Sequence, residues 1–221
     1  MKRISRELGP IINTEATVNP NIFKDLSGEH RVGIVTGVNG AGKTTTTRWL
    51  MHSATDLGLI RRHTTKELRE DDYIYNQVTD QVFEDMIERD DFVEAALYGP
   101  GYYGTSATET KRSLGKSSLV ICEMDPKASL IYKARMRNVG NVSVKVYFLN
   151  PFENDGITPK EKLRYMQTRT GQEREQNYEE TSRLIKSATF AYEDEPFDMR
   201  IAVAGRKPEE VAKTVYGDLI S

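Results

Sequence analysis

Cysteine is almost absent from this chain: one residue, Cys122, in 221. A single thiol excludes an internal disulfide framework, and its place in the apolar run "LVIC" reads as a reduced thiol in a core. Charge of one sign is also missing. With 31 basic and 33 acidic side chains the formal net charge is -2, so no global field favours nucleic acid or an anionic membrane. No apolar run approaches the roughly 20 residues that span a bilayer. The opening "MKRISRELGPIINTEATVNP" lacks the apolar block of a secretory signal. The expectation is a soluble cytoplasmic protein with neither nucleic-acid nor membrane partners.

What is present is an alternation of two periods. Short β-rich runs lie at 32–36, 58–61, 118–123, 142–149 and 199–203. Helical patterns lie between or after them. Leu50, Ala54 and Leu57 recur after a glycine-rich loop; Val82, Phe83, Met86 and Ile87 form one apolar face behind a candidate cap at Thr79. Asp125-Pro126 opens a helix carrying Leu130, Ile131 and Ala134, with proline at its tolerated first position. "TPKE" at 158–161 has the form of a capping box, and Pro208 opens a last helix with Val211, Val215 and Leu219 on one side. Strands alternating with helices predict an α/β fold with a parallel sheet covered on both faces. Residues 1 to about 30 show no clear periodicity and read as an extended lead-in.

One stretch carries chemistry. "GVNGAGKT", Gly37 to Thr44, comes directly after a predicted strand and directly before a predicted helix. It matches G-x-x-x-x-G-K-[ST] in the context that pattern requires. Such a loop turns successive backbone N–H groups inward, and the helix N-terminus adds its positive end, so the loop holds phosphate. Asn39, Gly40, Ala41 and Gly42 form the cradle, Lys43 reaches the β- and γ-phosphates, Thr44 offers a hydroxyl to magnesium, and Thr45 is placed for the α-phosphate. The loop thus implies a bound nucleoside triphosphate with Mg²⁺.

Three blocks further along the chain indicate the phosphate acceptor: "HTTKELREDDYIY" (63–75), "FEDMIERDDFVEAALYGPGYYGT" (83–105) and "LVICEMD" (119–125). In order and spacing these blocks resemble the guanylate kinase family, whose pattern runs roughly S-x-T-T-R-x-P-R, D-Y-x-F, F-x-x-M-I, F-x-E-x-A, Y-Y-G-T and D-I-D. The resemblance implies a P-loop NTPase three-layer fold with a five-stranded parallel sheet, a small insertion that binds a nucleoside monophosphate, and a lid. It implies a core at 31–60, 115–150 and 185–221, the monophosphate-binding region at 61–114, and the lid at about 151–184, behind an N-terminal extension at 1–30. By the same resemblance Lys66, Arg69, Tyr73 and Tyr103 grip the acceptor phosphate, and Glu94 accepts from guanine N1–H and the 2-amino group. Thr105 lies near the base, and Glu123 and Asp125 lie near magnesium and nucleotide, with Glu123 and Thr44 as metal-site residues. Arg169 and Arg183 correspond to lid arginines that fold over the transferring phosphoryl.

The departures fall mostly at the acceptor end. Arg62 stands where the family has a serine near the base, Lys66 replaces an arginine, and Leu68 replaces a proline. Lysine keeps the charge but loses the bidentate fork. Glu123 replaces an aspartate, and Ala204 to Arg206 stands near where the family has N-D-D beside the donor base. The resemblance therefore implies an ATP- and Mg²⁺-dependent kinase acting on small-molecule nucleotides, with GMP or dGMP as the expected acceptor. Two alternatives stay open: a kinase of another phosphorylated acceptor such as a ribose bisphosphate, and a non-catalytic interaction module. Intact Lys43 and Thr44 argue against the module.

Overall fold

The computed structural model describes residues 9–10, 17–38, 40–70, 72–98, 101–151 and 195–221. Its strands are β1 (Gly9–Pro10), β2 (His30–Gly37), β3 (Leu57–Leu59), β4 (Arg62–Thr64), β5 (Tyr75–Gln77), β6 (Phe92–Tyr98), β7 (Gly101–Ser106), β8 (Leu119–Glu123), β9 (Val142–Asn150) and β10 (Met199–Ala202). The helices are α1 (Lys43–Ser53), α2 (Asp80–Glu88), α3 (Ala107–Leu114), α4 (Pro126–Met136) and α5 (Pro208–Ile220). Five strands form the expected parallel sheet in the order β10-β9-β2-β8-β3. These are the five β-rich runs of the sequence. A second sheet, β1-β6-β7-β4-β5, is largely antiparallel. The chain divides into two compact units, one of Met1–Val32, Asp56–Cys122 and Lys127–Val144, the other of Gly33–Thr55, Glu123–Pro126 and Lys145–Ser221.

In the first unit the second sheet is two-sided. One face packs on α2, whose Thr79 cap accepts from the Val82 N–H at 3.3 Å. Phe83, Met86, Phe92, Ala95, Leu97 and Tyr102 make a single apolar cluster there. Phe83 stacks on Phe92 and Tyr102, at centroid separations of 4.5 and 5.2 Å. The opposite face carries polar side chains. A β-bulge between Phe92 and Glu94 makes this possible, because register shifts from Phe92↔Ser106 to Glu94↔Thr105. Strict alternation would put Phe92 and Glu94 on one face; the extra residue turns Glu94 away from the apolar cluster.

The lead-in is more structured than its composition suggests. Pro20–Phe23 forms a 3-10 turn capped by the Asn19 side chain, with Val18 and Phe23 buried. Leu57, expected on the first helix, begins β3 instead. The last turn of α1 is closed by Ala54 N–H to Leu50 C=O, and the chain then turns at Thr55-Asp56.

In the second unit α1 packs on α5. Pro208 sits in the first turn of α5, and Glu210 reaches back to the Lys207 N–H at 3.2 Å. Val211, Val215 and Leu219, at spacings of four, supply the buried stripe. The Tyr147 hydroxyl and Lys145 both donate to the Asp218 carboxylate, at 2.9 and 3.0 Å, fixing α5 to β9.

Candidate active site

In the second unit the glycine loop runs from the end of β2 into α1. Gly42 occupies the N-cap of α1 with φ +95°, in the left-handed region where a side chain is strained. The helix N-terminus thereby faces the loop without a capping side chain in its way. The Lys43 ammonium donates to the carbonyls of Gly37 at 2.9 Å and Val38 at 3.2 Å, which hold it across the loop.

The exposed Thr44 donates its hydroxyl to Glu123 Oε1 at 2.9 Å. Glu123 ends β8, and the next residue is pinned: Met124 N–H donates to Val35 C=O at 3.2 Å, and Thr36 Oγ1 donates to Met124 C=O at 3.0 Å. Asp125 comes next, half-buried, immediately before α4. A hydroxyl and a carboxylate side by side at the end of the glycine loop suit a hard divalent cation such as magnesium. Among the described residues no group of three or more His, Cys, Asp or Glu side chains forms a metal cage. Two protein groups suit a cation whose remaining ligands are water and phosphate.

Beside the loop a cleft is lined by Ala41, Gly42, Thr46, Val203, Arg206, Pro208 and Val211. Arg206 is fixed there, with Nη2 donating to Thr214 Oγ1 at 2.9 Å and to Glu210 C=O at 3.2 Å. Arg206, in the segment at 204–206, thus flanks the glycine loop.

In the first unit, the polar face of the second sheet gathers several of the residues expected at the acceptor side. Glu94 on β6 opposes Thr105 on β7, and Arg62 on β4 opposes Tyr75 on β5. The β4–β7 register His63↔Gly104, taken one step further, brings Arg62 beside Thr105. Directly paired residues share a face, so Glu94, Thr105 and Arg62 form one row. Arg62 Nε and Nη2 donate to Glu94 Oε1 at 3.1 and 3.0 Å, and Nη2 also donates to Oε2 at 3.0 Å. Thr105 Oγ1 donates to Oε1 at 2.6 Å. All three side chains are buried, at 4% exposure for Arg62 and 0% for the other two. Tyr103 lies edge-on to Tyr75 at 5.8 Å, with the Arg62 guanidinium 5.9 Å from its ring centre.

Lys66 and Arg69 lie on the loop after β4. Asp72 organises it: Oδ2 accepts from Lys66 Nζ at 3.4 Å and from the Arg69 backbone N–H at 3.0 Å. Arg69 is exposed, Lys66 is half-buried, and the Tyr73 hydroxyl is buried. Asn39, Arg169, Arg183 and the whole of 152–194 lie outside the described residues.

The expected residues therefore fall into two groups, one per unit: Lys43, Thr44, Glu123 and Asp125, and Lys66, Arg69, Tyr73, Glu94, Tyr103 and Thr105. Sequence reading alone neither joins Arg62 to Glu94 nor gives Asp72 a role. A signal for the first exists. Glu94 is a charge within "FVEAALY", and a buried carboxylate requires a cation or donors; two arginines, Arg61 and Arg62, stand in the neighbouring strand region.

A family model for guanylate kinase matches residues 29–205, more than half of the chain. Among curated proteins, the guanylate kinase of Helicobacter pylori strain J99 is 30% identical over 122 residues, covering 54% of this chain and 59% of that protein. That of Nitrosospira multiformis is 31% identical over 122 residues, covering 53% and 56%. The matches thus span a little over half the length of these relatives. Among solved structures, guanylate kinase from Anaplasma phagocytophilum superposes with a TM-score of 0.59 at 15% identity, covering 89% of each chain. At that identity the likeness speaks for the fold alone.

Proposed function

This chain belongs to the guanylate kinase family, and from that premise we propose that it transfers the γ-phosphoryl group of ATP to a nucleoside monophosphate. The observation that carries the proposal is the intact donor side: Lys43 held across the glycine loop, with Thr44 and Glu123 2.9 Å apart at its end. The loop N–H groups and the α1 N-terminus bind the donor phosphates, and Lys43 offsets charge on the β- and γ-oxygens. Thr44 and Glu123 would hold Mg²⁺ or its waters, and the ion would supply positive charge beside the donor phosphates. Lys66, Arg69, Tyr73 and Tyr103 receive the acceptor phosphate, since cations with phenol hydroxyls suit a phosphate dianion. Asp125 borders the nucleotide, and Arg169 and Arg183 supply lid charge. Positioning and electrostatics carry the rate, with no covalent intermediate.

Two acceptor readings have specific support. GMP or dGMP is supported by Glu94 and Thr105 standing together in one buried row, since a carboxylate can accept both guanine N–H groups. A different nucleotide is supported by Arg62, whose fork already occupies that carboxylate. A coupled ADP-release assay over GMP, dGMP, AMP, CMP, UMP and a ribose bisphosphate tests the proposal. Magnesium-dependent release with at least one monophosphate is expected; none with any of them removes the kinase reading.

A further inference from the structure

The Arg62–Glu94 pair defines the acceptor edge by what it withholds. Oε1 of Glu94 takes three donors, Arg62 Nε, Arg62 Nη2 and Thr105 Oγ1, and Oε2 takes Arg62 Nη2. The pair is nearly sealed, with side-chain exposures of 5% and 1%. Arginine stays protonated at any working pH, and the Glu94 carboxylate faces it as its ion-pair partner at 3.0 Å. The row thus pairs one cation with one anion in a neutral unit held in register by three strands.

We propose that Arg62 is the acceptor-specificity residue of this chain, and that it selects against guanine. The acceptor is then a nucleoside monophosphate whose base lacks the adjacent N1–H and 2-amino donors. This rests on the kinase reading and sharpens its acceptor. For guanine to use both oxygens of Glu94, the guanidinium must leave, since Oε1 already takes three donors. Two neutral N–H donors would replace a fork that carries a full positive charge opposite the carboxylate. The departing guanidinium would also be stranded without its counter-charge in a buried setting, the costly half of breaking such a pair. The same neutrality disfavours an acceptor with a second phosphate at this point, because the charge of Arg62 is already offset. Lys66 and Arg69 remain to take one phosphate.

The test is calorimetric titration of GMP, AMP, CMP and UMP into the full chain and into Arg62→Ser, alongside ADP release with the same four. The parent chain should bind GMP no better than the best of the others. Arg62→Ser, which uncovers Glu94, should raise GMP affinity by about thirtyfold or more while the other three change by less than about threefold. Arg62→Lys retains a buried cation without the fork, and should gain GMP affinity to a smaller degree if the serine variant fails to fold. A parent chain that prefers GMP more than about tenfold, or a loss or no change of GMP affinity in both variants, overturns the proposal. The two readings fail separately. A GMP gain on Arg62→Ser without ADP release from any nucleotide removes the kinase reading and keeps Arg62; ADP release that is fastest with GMP in the parent does the reverse.

Discussion

Phe92 packs against Gly104 so closely that a Cβ on the glycine would stand 2.8 Å from two atoms of the ring and 3.0 Å from the Glu94 carbonyl oxygen. The third residue of "YYGT" is therefore a packing requirement of the apolar face, while its neighbours Tyr103 and Thr105 serve the polar one. Phe92 cannot retreat cheaply, since Phe83 stacks on it at 4.5 Å. Gly104→Ala should destabilise the protein by about 1–3 kcal/mol through overpacking. Denaturant unfolding monitored by circular dichroism checks this; an unchanged midpoint would mean the bulge absorbs the methyl group.

His63 lies on the same apolar side, 5.9 Å from Phe92 in edge-on contact. Burial lowers its pKa below the ordinary 6.5, against the opposing pull of Glu109 and Asp91. The folded state therefore favours neutral imidazole, and the unfolded chain binds its proton first as pH falls. The stability associated with neutral His63 is complete above pH 6.5 and is lost as pH falls from there through the depressed folded value. His63→Phe should flatten the fall in Tm between about pH 7 and pH 5. A slope in the variant equal to that of the parent would assign the acid limb to other groups.

The five parallel strands are legible in the sequence because each is a short apolar run between turn signals, the pattern of a strand buried on both faces. The second sheet is not. β4 and β5 have three residues each, too few to display a period. β6 has seven, but its bulge inverts the alternation between Phe92 and Glu94. The identity of Glu94 as a site residue can be carried by resemblance. Its partner cannot, because a row across three strands depends on registers that no local pattern encodes. Leu57 fits a helical spacing of three from Ala54, yet the turn at Thr55-Asp56 intervenes and sends it into a strand.

Arg135 is 1% exposed, and Nη1 donates to the buried Phe92 carbonyl at 3.2 Å while Nη2 reaches Asp90 at 3.2 Å. The two contacts differ in worth. The Asp90 side chain is 75% exposed, so water competes for it and the ion pair adds little. The Phe92 carbonyl, at the entry to the bulge, loses a donor if Arg135 is removed. Arg135→Met should cost about 1–3 kcal/mol, and Asp90→Asn less than about 1 kcal/mol. Equal losses from the two substitutions, measured by urea unfolding, would show that the ion pair rather than the carbonyl contact is what holds α4 to this turn.

On the acceptor loop, Lys66 and Arg69 share Asp72 as organiser, one through its ammonium and the other through its backbone. On the proposed reading their charges address phosphate and not the base. Arg69→Ala should weaken every monophosphate acceptor by a similar factor, on the order of tenfold for one charge-assisted contact. Titration with the four monophosphates separates this from a base effect; a loss confined to one nucleotide would move Arg69 out of the phosphate grip.

The donor side permits a coupling measurement. Thr44 and Glu123 lie 2.9 Å apart, close enough to serve one cation. If they do, Thr44→Val and Glu123→Gln damage the same interaction, and the double variant should be little worse than either single one. Their magnesium dependence should shift to higher concentration together. On the proposed reading Lys43→Ala acts on different atoms, the β- and γ-oxygens, and should lower turnover at least about a hundredfold by removing a preorganised charge. Its Tm should change little, because the bonds from the ammonium to the Gly37 and Val38 carbonyls lie within the loop. Full additivity of the Thr44 and Glu123 losses would separate the two residues and leave the cation with one of them. Wild-type turnover in Lys43→Ala would be graver, because it would detach phosphoryl transfer from the one cation that the glycine-loop pattern itself supplies.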